Sequence, residues 1–404
     1  MPTPTTLASV SDILLQDVDP VIQSQIFKKT VALSQFEKDK GMRPMENNTF
    51  LIDVQIYDHS GVYFQSSAAT ADLNFGAPKY DQMTVTAATG YGSHIITDFA
   101  LTAAKGKPGS IVDLATNFGT AVQDSLRRSM NRQLLHLGGT IANNAVLAIE
   151  SGSGSSSTTV TVHGPTEANT WGTQYIVPGA SLHIGTDAEA DGATGDTCVV
   201  DTVNSATVFT IVSSATIAAS DLIKLTGADN CEMHGLENIL SASNDIYGIT
   251  RSTSYWSQPY IDETSEALTE SDMVDALIQA DKYGDVNFII TNPTLYSKYA
   301  SLLVTMKRSA ATLALTGGFV GLEFAAGKPG VGVVMDHDIG FGEVFFLTTP
   351  SLTIGKLDMG WLQQGGGIFE KQDLRPAWWA TYKFYGNLGC LNFRANSALK
   401  AKTV

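Results

Sequence analysis

Residues 110–150 read SIVDLATNFGTAVQDSLRRSMNRQLLHLGGTIANNAVLAIE. Apolar side chains recur at Ile111, Leu114, Phe118, Val122, Leu126, Met130, Leu134, Leu137, Ile141 and Ala145, in steps of three or four residues. That spacing traces one stripe of an α-helix. Pro108-Gly109 stops the preceding segment and Ser110 can cap the new one. A helix from Ser110 to Glu150 would be roughly 60 Å long at ~1.5 Å per residue. Ordinary globular helices run about 8–20 residues, so this one acts as a beam across an elongated subunit. Gly138-Gly139 is the place where it can bend.

Upstream of the beam the texture is that of strands. Residues 51–57 (LIDVQIY), 61–64 (GVYF), 83–86 (MTVT) and 94–99 (HIITDF) have strand composition, and the small, polar stretch 65–82 lies among them. Strands around a long polar tip predict an extended β-hairpin, and a loop this long with little core of its own is functional or disordered. Residues 1–45 read as a polar, partly helical arm. Asp19-Pro20 interrupts its apolar positions, and Lys28, Lys29, Lys38, Lys40 and Arg43 form the densest positive cluster of the chain. That cluster reads as a solvated helix face.

Downstream, Ser151–Ser157 is a Ser/Gly linker. Five short strand patterns follow within 158–228, separated by turns rich in Gly, Asp and Asn, which predicts a small β-barrel or sandwich. Residues 151–230 carry eight acidic side chains (Glu167, Asp187, Glu189, Asp191, Asp196, Asp201, Asp221 and Asp229) against one basic, Lys224. This is an inserted all-β module with a strongly exposed surface. From Cys231 to Val404 helix and strand alternate. Thr269-Glu270-Ser271-Asp272 opens a helix, Val286–Thr291 is a buried strand, and Asn292-Pro293 is a cap followed by proline at the first helical position. The fold class is α+β.

Composition narrows the function. Among 404 residues, 25 Lys and Arg stand against 40 Asp and Glu, a formal charge of −15, and only 16% of residues are charged, where about 25% is usual. With 43% hydrophobic residues, the chain can bury a large core and still carry weakly solvated surface suited to contact with copies of itself. An acidic chain is poorly suited to sequence-specific DNA reading, which needs a basic face. No apolar run approaches the ~18–20 residues that span a bilayer, and residues 1–10 lack the pattern of a secretory signal. Cys198, Cys231 and Cys390 are odd in number and far apart, which suits a reducing compartment and no disulfide framework.

No catalytic constellation emerges. Gly321 to Gly327-Lys328 has one residue too many for a P-loop and is followed by Pro329. Gly90-Tyr91-Gly92 lacks the third glycine of a dinucleotide fingerprint, and neither G-x-S-x-G nor H-E-x-x-H occurs. Asp336-His337-Asp338 is the one tight acid–base group, but neighbours on a strand point to opposite faces, so a turn beside a strand end is expected. Glu232, His234 and Glu237 read the same way, and His59, His94, His136, His163 and His183 stand singly. Trp378, Trp379, Tyr382, Phe384 and Tyr385 read as sheet packing rather than a nucleobase platform, since only Arg375 and Lys383 accompany them. The expectation is no enzyme, with no catalytic, cofactor-binding or metal-binding residues and no cofactor.

The order of parts resembles the major capsid protein of tailed double-stranded-DNA bacteriophages, the tailed-phage and herpesvirus capsid fold. Local stretches agree: Gly235-Leu236-Glu237-Asn238-Ile239-Leu240, then Tyr247-Gly248-Ile249-Thr250-Arg251-Ser252 with Tyr255-Trp256, and Phe288–Tyr296 with its Asn-Pro turn. The resemblance implies an N-terminal arm over 1–45, an extended loop over 46–106 that lies on a neighbouring subunit, and a spine helix of the peripheral domain over 107–150. It further implies an axial domain over 231–350 and a return to the peripheral domain over 351–404, with 151–230 inserted. It implies a shell subunit assembling into hexamers and pentamers of an icosahedral head, in the virion, after assembly in the host cytoplasm.

The implied partners are further copies of the chain, a portal, a separate scaffolding protein, packaged DNA contacted non-specifically and a decoration protein, with no membrane. Some relatives cross-link a loop lysine to a neighbour's asparagine, but no motif here marks Lys79, Asn387 or Asn392 for that role. The acidic insertion is expected as an outward knob. Two other readings stay open: an encapsulin-type nanocompartment shell of the same fold, and a carbohydrate-binding or adhesin module in residues 158–228.

Overall fold

A computed structural model describes residues 30–39, 43–45, 48–62, 64, 76–99, 114–136, 146–152, 154, 156–164, 171–185, 196–228, 231–305, 312–314, 320–323, 331–363, 369–371 and 375–404. The expected hairpin tip at 65–75, the arm before residue 30, the Gly327-Lys328 pair and helix positions Leu137, Ile141 and Ala145 lie outside them.

The long helix spans Leu114–Leu135. Leu126, Met130 and Leu134 of the predicted stripe are buried in the largest core cluster. The periodicity predicted helix as far as Glu150, and here the structure differs: Val146–Ile149 is a strand, paired antiparallel with Leu222–Leu225. A short apolar run fits helix and strand periodicity alike, and pairing with a distant segment decides between them.

The helix lies across a five-stranded sheet. Its central strand, Ala377–Cys390, pairs on one side with Leu352–Trp361 and Glu370–Lys371 and on the other with Ala88–Thr97; Arg43–Pro44 adds a short parallel strand beyond Leu352–Trp361. A Cβ on Gly92 would lie 2.8 Å from Val122 Cγ1, so the absent side chain is what lets helix and sheet approach this closely. The aromatic run of the central strand divides by the two-residue alternation of a strand. Phe384 and Tyr382 join the core under the helix, while the Tyr385 hydroxyl meets that of Tyr91 on the other face at 2.9 Å.

Thr49–Tyr57 and Lys79–Thr86 form the expected antiparallel hairpin as a separate two-stranded sheet. Phe50, Ile52, Met83 and Val85 at its root belong to the main core. Farther out, Asp53, Gln55 and Tyr57 and residues 79–82 are exposed. The other two strand readings of this region change. Gly61 and Val62 lie in and after a turn, and residues 94–97 belong to Ala88–Thr97 of the five-stranded sheet.

The insertion is a six-stranded antiparallel barrel. Its strands are Val146–Ile149, Leu222–Leu225, Ser181–Gly185, Asp196–Val203, Val208–Ala215 and Ser157–Thr161 in spatial order. The first and last of these close on each other through the Glu150–Val162 bridge and a bond from His163 N to Ile149 O. Closure removes the free edges that an open sheet exposes. Phe209, Ile223, Leu182 and Val160 fill the interior.

The remainder is a seven-stranded sheet ordered Tyr260–Asp262, Ser397–Leu399, Val344–Leu347, Phe288–Thr291, Gly332–Met335, Val320–Glu323 and Thr312–Ala314. Every residue of Phe288–Thr291 and Val344–Leu347 is buried, as in a sheet covered on both faces. Two helices pack on it. Glu270–Asp281 begins with a capping box between Thr269 and Asp272, and Pro293–Thr305 begins with Asn292 Oδ1 accepting from Leu295 N. The resemblance placed everything from residue 351 with the long helix. Leu352–Trp361 and Ala377–Cys390 are there, but Ser397–Leu399 crosses into the seven-stranded sheet, where Ser397 Oγ donates to Ala276 O at 2.8 Å.

Candidate functional site

The Asp336-His337-Asp338 turn does not converge on one point. His337 is exposed, whereas Asp336 and Asp338 are 1% and 0% exposed and bound within the chain. Asp338 Oδ2 accepts from Asn131 Nδ2 at 2.6 Å, and Asp338 Oδ1 accepts from Tyr175 Oη at 3.0 Å and Gln174 Nε2 at 3.2 Å. Asp336 accepts from the backbone N–H of Ala32 and of Asp338. These carboxylates hold structure together.

The last turns of the long helix make this a hub. Asn131 Oδ1 accepts from Leu33 N at 3.0 Å, fixing the helix Val31–Asp39. Arg132 forms a buried ion pair with Glu232, and Gln133 Oε1 accepts from Met233 N. His136 stacks on Trp171 of the barrel with ring centroids 3.9 Å apart and shares a 2.8 Å bond with Asp338 O. Burial and the neighbouring Arg132 charge hold His136 down to about 3, so its ring is neutral. Glu232 meets Arg132 from 100 residues away, and His136 meets Trp171 and Asp338 from 35 and 202 residues away, so no local spacing marks these partners.

His234 and Glu237 are structural as well. The Nδ1 of His234 faces Asn238 Nδ2 at 3.3 Å and its ring packs edge-on against Tyr247; burial lowers it to about 4. Burial also raises the Glu237 carboxyl. Of the cross-link candidates, Lys79 is exposed, but Asn387 is buried. Its amide donates to Thr86 O and accepts from His234 N. Asn392 donates to Tyr283 O.

Among the described residues, one acidic trio has metal-like spacing: Asp262, Glu266 and Asp272. Lys402 occupies it. Its fully buried Nζ lies 2.7, 2.8 and 3.6 Å from the three carboxylates, so a lysine supplies the countercharge.

Large apolar side chains are exposed at several places among the described residues, including the barrel (Val212) and the loop at Tyr255, and two of these places are strand surfaces. On the hairpin, Leu51 and Tyr80 share one face and Tyr57 projects near its end, each more than half exposed. On the five-stranded sheet, Tyr91 and Ile95 point away from the long helix and are equally exposed. At the end of that sheet, Ile95, Thr97, Phe99, Pro376 and Ala377 line a groove of about 780 Å³ together with Asp98 and Arg375. One acid already bound to Trp378 Nε1 and one guanidinium make no catalytic set.

No protein-family model matches the sequence, and no curated protein does. Solved structures do match. A chain of the cyanophage A-1(L) capsid aligns with 99% of this chain and 100% of its own, with a TM-score of 0.59 at 12% identity. The chain has the phage capsid fold. The encapsulin SrpI of Synechococcus elongatus PCC 7942 shares this fold, covering 99% of this chain and 96% of its own, with a TM-score of 0.51 at 9% identity. A chain of Mycobacterium phage Bobi aligns over 100% of both chains with a TM-score of 0.50 at 10% identity. No described helix is long and apolar enough to cross a membrane.

Proposed function

We propose that this chain is a major capsid protein, a structural subunit that self-assembles into hexamers and pentamers of an icosahedral phage head around double-stranded DNA. The observation that carries the reading is the end-to-end match to the cyanophage capsid chain. The uncovered apolar hairpin supports it, because such surface on a weakly charged chain gains by being covered by identical copies, and heterologous contacts that close generate rings and shells. The reading includes no enzymatic activity and no cofactor. Its partners are further copies, a portal, a separate scaffolding protein and a decoration protein, with DNA held non-specifically and with the virion as destination after assembly in the host cytoplasm.

The match to an encapsulin favours a second reading, a nanocompartment shell that encloses protein cargo. Negative-stain microscopy of the overexpressed chain tests both, with closed polyhedral particles as the expected result. A monodisperse monomer at every concentration, with or without candidate scaffolding protein, overturns both. Particles isolated from producing cells then separate the two: nuclease-protected double-stranded DNA favours the head, and a stoichiometric enclosed enzyme favours the compartment.

A further inference from the structure

The barrel meets the rest of the chain at the Asp336–Asp338 turn. Two carboxylates sit within one buried turn, and the donors that reach them are neutral: Asn131 Nδ2 from the long helix, Tyr175 Oη and Gln174 Nε2 from the barrel, and backbone N–H groups. Of the cations nearby, Arg132 pairs with Glu232, while Arg128 donates to Gln174 O at 3.0 Å and its charge acts on Asp338 against burial without reversing it. His136, facing the turn through Asp338 O, is neutral.

We propose that the barrel is held to the body by a proton-controlled latch, in which Gln174 and Tyr175 close over the carboxylate pair of Asp336 and Asp338. Two like charges buried side by side without a paired cation favour keeping one proton between them. The pair also grips the helix Val31–Asp39 through Ala32 N and, by way of Asn131, through Leu33 N. One protonation event therefore acts on the barrel, the long helix and the N-terminal helix together. Asp338 is pushed up to about 6, first by burial and then by the charge of Asp336. A raised acid contributes stability that is complete below its unfolded value of about 3.9 and is lost as pH rises through the folded value. The latch is tightest in mild acid and weakens toward pH 6 and above.

Trp171, stacked on His136, reports how the barrel is seated. The full-length protein carrying 5-fluorotryptophan at its five tryptophans is titrated from pH 5 to pH 8 by ¹⁹F NMR, with the Trp171 resonance assigned by Trp171→Phe. That resonance is expected to shift with a midpoint near pH 6. Asp338→Asn abolishes the transition and keeps the low-pH position at pH 8. Tyr175→Phe, which removes only a hydroxyl that favours the ionised carboxylate, moves the midpoint upward. Absence of a transition in the unsubstituted protein, its persistence in Asp338→Asn, or an unmoved midpoint in Tyr175→Phe each overturns the latch.

Discussion

Asn131 Nδ2 lies 2.6 Å from Asp338 Oδ2, joining residues 207 positions apart. The other end of the same amide accepts from Leu33 N at 3.0 Å. One fully buried side chain thus ties the long helix to a turn of the seven-stranded sheet and to the helix Val31–Asp39. Replacing it by alanine leaves a carboxylate and a backbone N–H buried without that partner, at about 1–3 kcal/mol each. Asn131→Ala is expected to lose about 3 kcal/mol of stability in urea denaturation, and a variant as stable as the parent contradicts the hub.

Gly235 passes under the end of the long helix so closely that an added Cβ would fall 1.7 Å from the His136 carbonyl oxygen, a backbone atom that cannot swing aside. Gly235→Ala is expected to yield little soluble protein. Gly152→Ala, with nothing within 4 Å of the added carbon, is expected to express and melt like the parent. Equal melting temperatures for the two variants contradict the close approach.

The Lys402 clasp makes two statements about charge. The lysine is raised by its hydrogen bonds to Asp262 and Glu266, against an opposing desolvation, and Asp262 is lowered by the bond from Lys402, again against desolvation. The lowered acid contributes stability that is lost as pH falls through its folded value, below about 4; the raised base contributes stability that is lost as pH climbs through its folded value, above about 10. Lys402→Met is therefore expected to lower the melting temperature across the range between those limits. EDTA and calcium leave the melting temperature of the parent unchanged, whereas a calcium-dependent rise in the parent contradicts lysine occupancy of the trio.

Glu343 is buried near Glu237, and burial followed by that charge pushes its carboxyl up to about 8. The folded chain therefore holds a proton that the unfolded chain releases near pH 4, and stability falls as pH rises from about 4 to about 8. Glu343→Gln is expected to flatten that decline. An unchanged slope between pH 5 and pH 8 contradicts the assignment.

Much of this architecture is legible in the sequence because it is written in local periods. The stripe through Leu126, Met130 and Leu134, the strand composition of residues 51–57, and the Asn292-Pro293 cap each announce an element within a few residues. Val146–Ile149 is misread because four apolar residues satisfy either period and their strand partners lie some 75 residues away. The hub is invisible for the same reason. Asn131, Tyr175, Glu232 and Asp338 come from four separated segments, and each alone is an ordinary polar residue. The acidic barrel reads as an exposed knob because its turns are charged, while the loop that docks it uses Trp171, Gln174 and Tyr175, none of which carries charge.

In the proposed shell, the hairpin bared by one subunit is covered by another. Leu51, Tyr57 and Tyr80 are 53–63% exposed, so covering what remains is worth about 1–2 kcal/mol apiece. A cryo-EM map of the assembled particle decides it. It is predicted to show Leu51, Tyr57 and Tyr80 packed against a neighbouring subunit. A map in which the hairpin folds back on its own subunit, or stands free in solvent within an intact shell, rules that packing out.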